Sequence, residues 1–269
     1  MKIGFTKRLF LVAAACMVMA VSGCNEQTAV NTIHSLDDLQ GKKIGVQLKT
    51  TGDVYASDIE DAEVVRFNRG IDAATALKKG VVDAVIIDDA PAKVFIDEVQ
   101  GLTLLDEPFA EEEYGIAVNK NNPALLADIN EALAKLQNDG TLDSIKDAWI
   151  MGEVTDTAYE GQNKDSYANG ILTMITNAEF PPYESMTQDG KIVGIDVDIM
   201  KAICDELDME LKVQNTTFDS VIVSVERGMS SVAVSGITIT QDRLEQVDFS
   251  EPYAKEKQVV IVREERSEK

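Results

Sequence analysis

Strand and helix periods alternate along almost the whole chain, and one polar stretch interrupts them near the middle. Before the break, Lys43–Gln47, Val64–Phe67, Val81–Ile87, Leu102–Leu105 and Gly115–Val118 read as strands. Between them Gly52–Asp58 opens a helix, and Ile71, Ala74 and Leu77 keep helical spacing until Gly80. Val81–Ile87 is nearly all apolar, as a strand covered on both faces must be. Asn122-Pro123 starts a further helix striped by Leu126, Ile129, Leu133 and Leu136, and a short one follows with Leu142, Ile145 and Trp149. Residues 153–169 are polar and read as a linker. The alternation then resumes: Leu172–Thr176, a helix face of Ile195, Ile199, Ala202, Ile203 and Leu207, then Leu211–Gln214, Phe218–Arg227, Val232–Ile239 and Gln258–Val262. Such a pattern predicts an α/β fold of two units, with mostly parallel sheets flanked by helices.

The first residues read as an address. Lys2, Lys7 and Arg8 precede the apolar run Leu9–Val21, which falls short of the roughly 18 residues a membrane span needs and suits a secretory signal. Val21-Ser22-Gly23-Cys24 resembles a bacterial lipobox, so Cys24 is the expected lipidation site and the chain is expected at the outer face of a membrane, held by acyl chains. With Cys16 in the signal and Cys24 blocked, Cys204 is left as a lone thiol in a helical segment, expected to pack.

Charge narrows the function. The 269 residues carry 25 Lys plus Arg against 47 Asp plus Glu, a net charge of −22, which argues against nucleic acid as a partner. A single histidine, His34, removes histidine triads and multi-histidine metal sites, and no cofactor or metal is implied. Asp196-x-Asp198 hints at a calcium loop but lacks its glycine and distal glutamate, and Glu111–Glu113 reads as a solvated face.

Ligands of α/β sheets bind at the loops that follow strand ends. Three such places carry suitable chemistry. Lys49–Asp53 opens a helix with small residues whose amides suit a carboxylate. Asp88 ends the apolar strand run. Gly236–Arg243 offers a glycine for close backbone approach, the hydroxyls of Thr238 and Thr240, and the guanidinium of Arg243, which could equally pair with Asp242 or Glu245 on the surface. Together they make an amino-acid clamp: cation and amides for the α-carboxylate, a carboxylate for the α-ammonium.

Several motifs carry a specific likeness: Gly45-Val46-Gln47 with Thr50–Asp53, Val82–Asp88, Asn177–Tyr183, Gly194–Asp198, Gly236–Arg243 and Val247–Tyr253. As a set they resemble the polar amino-acid solute-binding proteins of ABC importers, family 3, over roughly 36–150 and 169–263. The resemblance implies a two-lobed, periplasmic-binding type II fold in which Arg243, helped by Thr238 and Thr51, takes the ligand α-carboxylate. Asp88, the Gly236 carbonyl and Thr238 take the α-ammonium. Phe180 and Phe218 sandwich the side chain, and Asn177 and Gln47 face its distal end, favouring a polar uncharged group. Lys49 departs from the usual glycine of the family, and Ser231 from an acidic residue.

The order of the halves departs as well. In the family the stretch like 169–263 comes first, so this chain looks circularly permuted. The expected division is a signal at 1–23, a tether at 24–35, and the lobe bearing Asp88 at 36–113. A crossing strand with helices follows at 114–150, then a linker at 151–168 joining the family's usual ends, the other lobe at 169–262, and a tail at 263–269. Only the crossing at Tyr114–Val118 would then be covalent, so a monomer or a dimer with swapped halves is expected. The implied function is capture of a free amino acid and delivery to an importer permease, without covalent chemistry. The competing classes are a small enzyme using Glu179 as its acid, and a sensory or adhesive lipoprotein.

Overall fold

The computed structural model describes residues 30–265 except Glu153 and Asn163. The signal, Cys16 and Cys24 lie outside the described residues. In chain order the elements are a 3-10 turn at Leu36–Leu39, β1 (Lys43–Gln47), α1 (Thr51–Asp58), β2 (Glu63–Phe67), α2 (Gly70–Lys78), β3 (Ala84–Asp88), α3 (Asp89–Glu98), β4 (Leu102–Leu104) and β5 (Ala110–Tyr114). They continue with β6 (Ala117–Val118), α4 (Pro123–Asn138), α5 (Thr141–Ile150), β7 (Ile171–Thr176), β8 (Glu179–Phe180), β9 (Glu184–Met186), β10 (Ile192–Val193) and α6 (Ile195–Leu207). The last are β11 (Glu210–Asn215), α7 (Phe218–Glu226), β12 (Val232–Ala233), α8 (Gln241–Gln246), β13 (Asp248–Phe249) and β14 (Ala254–Arg263).

Two sheets flanked by helices organise the chain, as expected, and each defines a lobe. The N-terminal lobe has the order β2-β1-β3-β14-β4, with β5 also on β14; the C-terminal lobe has β11-β7-β12-β6-β13. Both are mixed rather than mostly parallel. Strands joined through a helix pair in parallel, β1 with β2 and β3, β7 with β11 and β12. Strands entering or leaving a lobe pair antiparallel, β14 with β3, β4 and β5, and β6 with β12 and β13. The central β3 is buried along its whole length, as its aliphatic residues anticipate, but it begins at Ala84 rather than at Val81, which is exposed in the turn after α2.

β14 corrects the expected division. It is a ten-residue strand wholly within the N-terminal sheet, so residues 254–263 leave the lobe assigned to 169–262. Two covalent crossings therefore join the lobes, β5 to β6 and β13 to β14. They run side by side, with Tyr253 N–H donating to Tyr114 O at 3.0 Å and Ser250 N–H to Ile116 O at 2.9 Å. The single crossing on which the swapped dimer rested is thus two. Nor is the described part of the tether free, since Ile33 is fully buried in the N-terminal lobe. Arg263, placed in the tail, is buried as well; its guanidinium donates to Leu77 O and Val82 O, capping the end of α2.

Helices α4 and α5 pack on α6. The linker is pinned to the same helix by acids. Asp198, fully buried, accepts from Trp149 Nε1 at 2.8 Å, Ala158 N–H at 2.6 Å and Thr157 Oγ1 at 2.9 Å, and pairs with Lys201 at 2.7 Å. Asp205 accepts from Tyr159 OH and Gln162 N–H, and Asp208 pairs with Lys164 at 2.7 Å. Cys204 is a buried free thiol on α6, and burial pushes it up to about 12.

Candidate functional site

Each lobe turns the loops after its parallel strands toward the other. In the N-terminal lobe, β1 ends on Gln47, and Lys49 turns the chain with φ +67°. Thr50 caps α1, its hydroxyl accepting from Asp53 N–H, which leaves the amides of Thr51 and Gly52 without an intrahelical acceptor. Asp88 closes β3. In the C-terminal lobe, the strand expected over Val232–Ile239 stops at Ala233, because Gly236 takes φ +50° and bends the chain into the cleft. A Cβ there would stand 2.6 Å from the Phe180 ring.

These loops meet. Gln47, Thr51, Asp88, Asn177, Phe180, Phe218, Gly236, Thr238 and Arg243 line one cleft with Thr50, their side chains close together. Every residue chosen from the sequence as a ligand contact is thereby brought together.

Among the described residues Arg243 makes no ion pair with an acid. Its Nη1 donates to Thr238 O at 2.8 Å, its Nη2 reaches Lys49 O at 3.3 Å across the lobes, and its guanidinium lies 5.6 Å from the centre of the Phe218 ring. Burial draws its pKa down, opposed by the charges of Glu112 and Asp88. At the far end Gln47 Nε2 donates to Asn177 Oδ1 at 3.0 Å and to Asn68 O at 3.2 Å, while Asn177 Nδ2 donates to Thr216 O at 2.8 Å. This amide pair bridges the lobes and leaves Gln47 Oε1 as an acceptor.

Asp88 is 4% exposed and accepts from Tyr114 OH. Burial, then the charge of Glu112, pushes its carboxyl up to about 8, partly offset by the Tyr114 hydrogen bond. Burial thus favours the protonated form of Asp88 while the site is empty. A bound ammonium would reverse that.

A layer of acids and tyrosines lies behind the cleft, and sequence reading missed it. Glu112 is the clearest case. The Glu111–Glu113 run is a strand, not a solvated face: β5 pairs with β14, its alternation turns Glu111 and Glu113 outward, and Glu112 is 5% exposed. The facing Lys255-Glu256-Lys257 was the available signal, since a run with lysines opposite its outer glutamates marks a paired edge. Deeper in, Glu184 and Asp196 are both fully buried. Glu184 accepts from Ser235 Oγ at 2.7 Å, and Asp196 accepts from Gly236 N–H at 2.8 Å, so the pair fixes the cleft loop from beneath. Burial, with Asp196 beside it, drives the Glu184 carboxyl well upward; burial raises Asp196 only to about 6, because Glu184 and the Gly236 N–H stabilise its charge. Asp196 and Asp198 are thus held by protein groups rather than poised as calcium ligands. Among the described residues no group of three or more His, Cys, Asp or Glu could hold a metal. Glu179, the acid required by the enzyme reading, is absent from the cleft lining and pairs with Arg69 at 2.9 Å.

The probable histidine-binding protein of Neisseria gonorrhoeae is 35% identical over 111 residues, covering 39% of this chain and 41% of its own. The L-cystine-binding protein TcyJ of Escherichia coli K12 is 32% identical, covering 46% and 47%. The glutamine-binding protein GlnH of Bacillus subtilis is 37% identical, covering 44% of each. The chain spans less than half the length of these curated relatives. A profile of bacterial extracellular solute-binding proteins, family 3, matches residues 5–152 and 172–268. With nearly all of its length matched in those two blocks, the chain belongs to that family.

Proposed function

We propose that the chain captures one free amino acid between its lobes and delivers it to the permease of an ABC importer, without covalent chemistry. The observation that carries this reading is the convergence of Arg243, Asp88 and two aromatic rings, from both lobes, on one small cleft. Arg243 and the first amides of α1 take the α-carboxylate; Asp88, the Gly236 carbonyl and Thr238 take the α-ammonium; Phe180 and Phe218 hold the side chain, with Asn177 and Gln47 at its end. Each charge-assisted hydrogen bond contributes about 1.5–3 kcal/mol, so three or four support roughly micromolar affinity. Because the clamp is divided between lobes, ligand favours the closed state, which a permease can read.

The relatives are named for histidine, cystine and glutamine, which supports an amino acid as ligand. We further infer that Cys24 is lipidated and anchors the protein to the cell membrane from outside, and that the halves are circularly permuted. In favour of permutation, the family match falls into two blocks around the linker, and the linker lies against α6, where α4 and α5 pack too. One chain supplies both crossings and both halves of the clamp, so we take the monomer as the acting unit.

A thermal-shift panel of the twenty standard L-amino acids and L-cystine tests this reading. Ligand at 100 times its Kd adds about 2.7 kcal/mol, a rise of roughly 5–10 °C for a chain of this size. A flat panel from folded protein would overturn the reading.

A further inference from the structure

Glu112 is a buried charge beside the cleft to which the site as described gives no task. It does not line the cleft; it stands behind Thr51 and Thr238, where an outer groove passes Tyr55 and Thr238. Three donors converge on its Oε2: Thr238 Oγ1 at 2.8 Å, Thr51 Oγ1 at 3.1 Å and Gln258 Nε2 at 3.1 Å. Gln258 Nε2 also donates to Thr51 Oγ1 at 3.2 Å, so it orients that hydroxyl from a second side. Thr51 comes from α1, Gln258 from β14 and Thr238 from the other lobe.

The chemistry of these groups is asymmetric. A carboxylate only accepts, and a threonine hydroxyl has one proton to give. Once that proton points at Glu112, the hydroxyl can offer the cleft only lone pairs. Lone pairs accept from an ammonium and repel a carboxylate.

We propose that Glu112 is a positioning residue that sets the polarity of the cradle: by taking the hydroxyl protons of Thr51 and Thr238 it turns both into acceptors and assigns their side of the cleft to the ligand ammonium. This rests on the amino-acid reading above and sharpens it. It also revises the task given to both hydroxyls from the sequence, because neither can help Arg243 with the α-carboxylate while Glu112 holds its proton. The carboxylate is left to Arg243 and the α1 amides. Asp88 sits at the same pole, faced by Glu112 and Tyr114 from β5 and by Gln258 and Glu256 from β14.

The test is a double-mutant cycle read by calorimetry, with the strongest binder of the amino-acid panel as probe. Glu112→Gln alone is expected to weaken binding about 10- to 100-fold, the scale of one or two hydrogen bonds to a charged group. In a Thr238→Val background, where the hydroxyl is gone, the same change is expected to cost far less, because Glu112 acts through that hydroxyl. The pH at which affinity reaches its plateau is expected to fall in Glu112→Gln, since one charge opposing the ionisation of Asp88 has gone. Should Glu112→Gln not fold, Glu112→Asp, which keeps the charge but retracts the acceptor, runs the same cycle. Additive losses, or unchanged affinity with an unchanged pH profile, would overturn the assignment while leaving the amino-acid reading intact. Wild-type protein that is folded but binds nothing in the panel would overturn both.

Discussion

The cleft and the layer behind it use the same polar groups to opposite ends. In the cleft, Gln47 keeps a free acceptor, and Arg243 donates to two carbonyls and lies over the Phe218 ring, with no ion pair to an acid among the described residues. Behind it, each acid has one oxygen matched to a donor: Asp88 to Tyr114, Glu256 to Tyr183 at 2.6 Å, Glu184 to Ser235, and Asp196 to the Gly236 amide. The second oxygens of Glu112, Glu184 and Asp196 are buried without a partner among the described residues. The three tyrosines stack edgewise or tilted, Tyr114 lying 5.1 Å from Tyr183 and 6.3 Å from Tyr253 between ring centres. Polar groups that face the cleft keep something to offer, whereas each acid behind it commits at least one oxygen to a donor that fixes a loop or a lobe. Asp88 belongs to both regions, and its raised pKa marks the conflict.

If the division is right, changes in the two kinds of site separate binding from stability. The largest effect is expected away from the cleft. Asp198→Ala removes a fully buried carboxylate that holds Trp149, Thr157, Ala158 and Lys201, and is expected to cost about 3–5 kcal/mol of unfolding free energy. Chemical denaturation measures it, and the folded fraction should bind as before. Arg243→Ala is expected to show the reverse, with binding lost by at least about 100-fold, the scale of two charge-assisted hydrogen bonds, and little change in melting. An Arg243→Ala protein with unchanged affinity would break the comparison.

The conflict at Asp88 predicts a pH dependence. Its pKa in the empty site is raised to about 8, so below that pH the ammonium must displace a proton. Affinity is therefore expected to weaken about tenfold for each pH unit below 8 and to level off above it, until the ligand amine itself deprotonates. Calorimetry in buffers of different ionisation enthalpy should show a proton released near neutral pH. A flat profile from pH 6 to 8 would place Asp88 outside the ligand's reach. The smallest effect is expected at Lys49, whose φ of +67° a glycine adopts freely; Lys49→Gly should change stability by less than about 1 kcal/mol and leave binding nearly unchanged.

Much of the cleft was legible because its residues sit where periodicity ends. Asp88 closes an aliphatic run, Gln47 ends a strand, and Gly236 interrupts another. Crossing elements were less so, for a physical reason. β5 has three glutamates, and its strand character comes only from pairing with β14, far away in the chain. The helix α3 was missed because Pro91 suggests a break, although proline is tolerated in a first turn. The small antiparallel sheet β10-β9-β8 has strands of two or three residues, too short to show a period. The place of β14 is set by which sheet completes itself, and local pattern carries no record of that.

One titration bears most directly on the central claim that a single chain, with both crossings intact, closes on one amino acid. The chain is to be isolated at its monomer mass by light scattering and titrated calorimetrically with the strongest binder of the panel. The account predicts one ligand per monomer with roughly micromolar affinity. Binding confined to a dimer, or no heat with any amino acid, would contradict it.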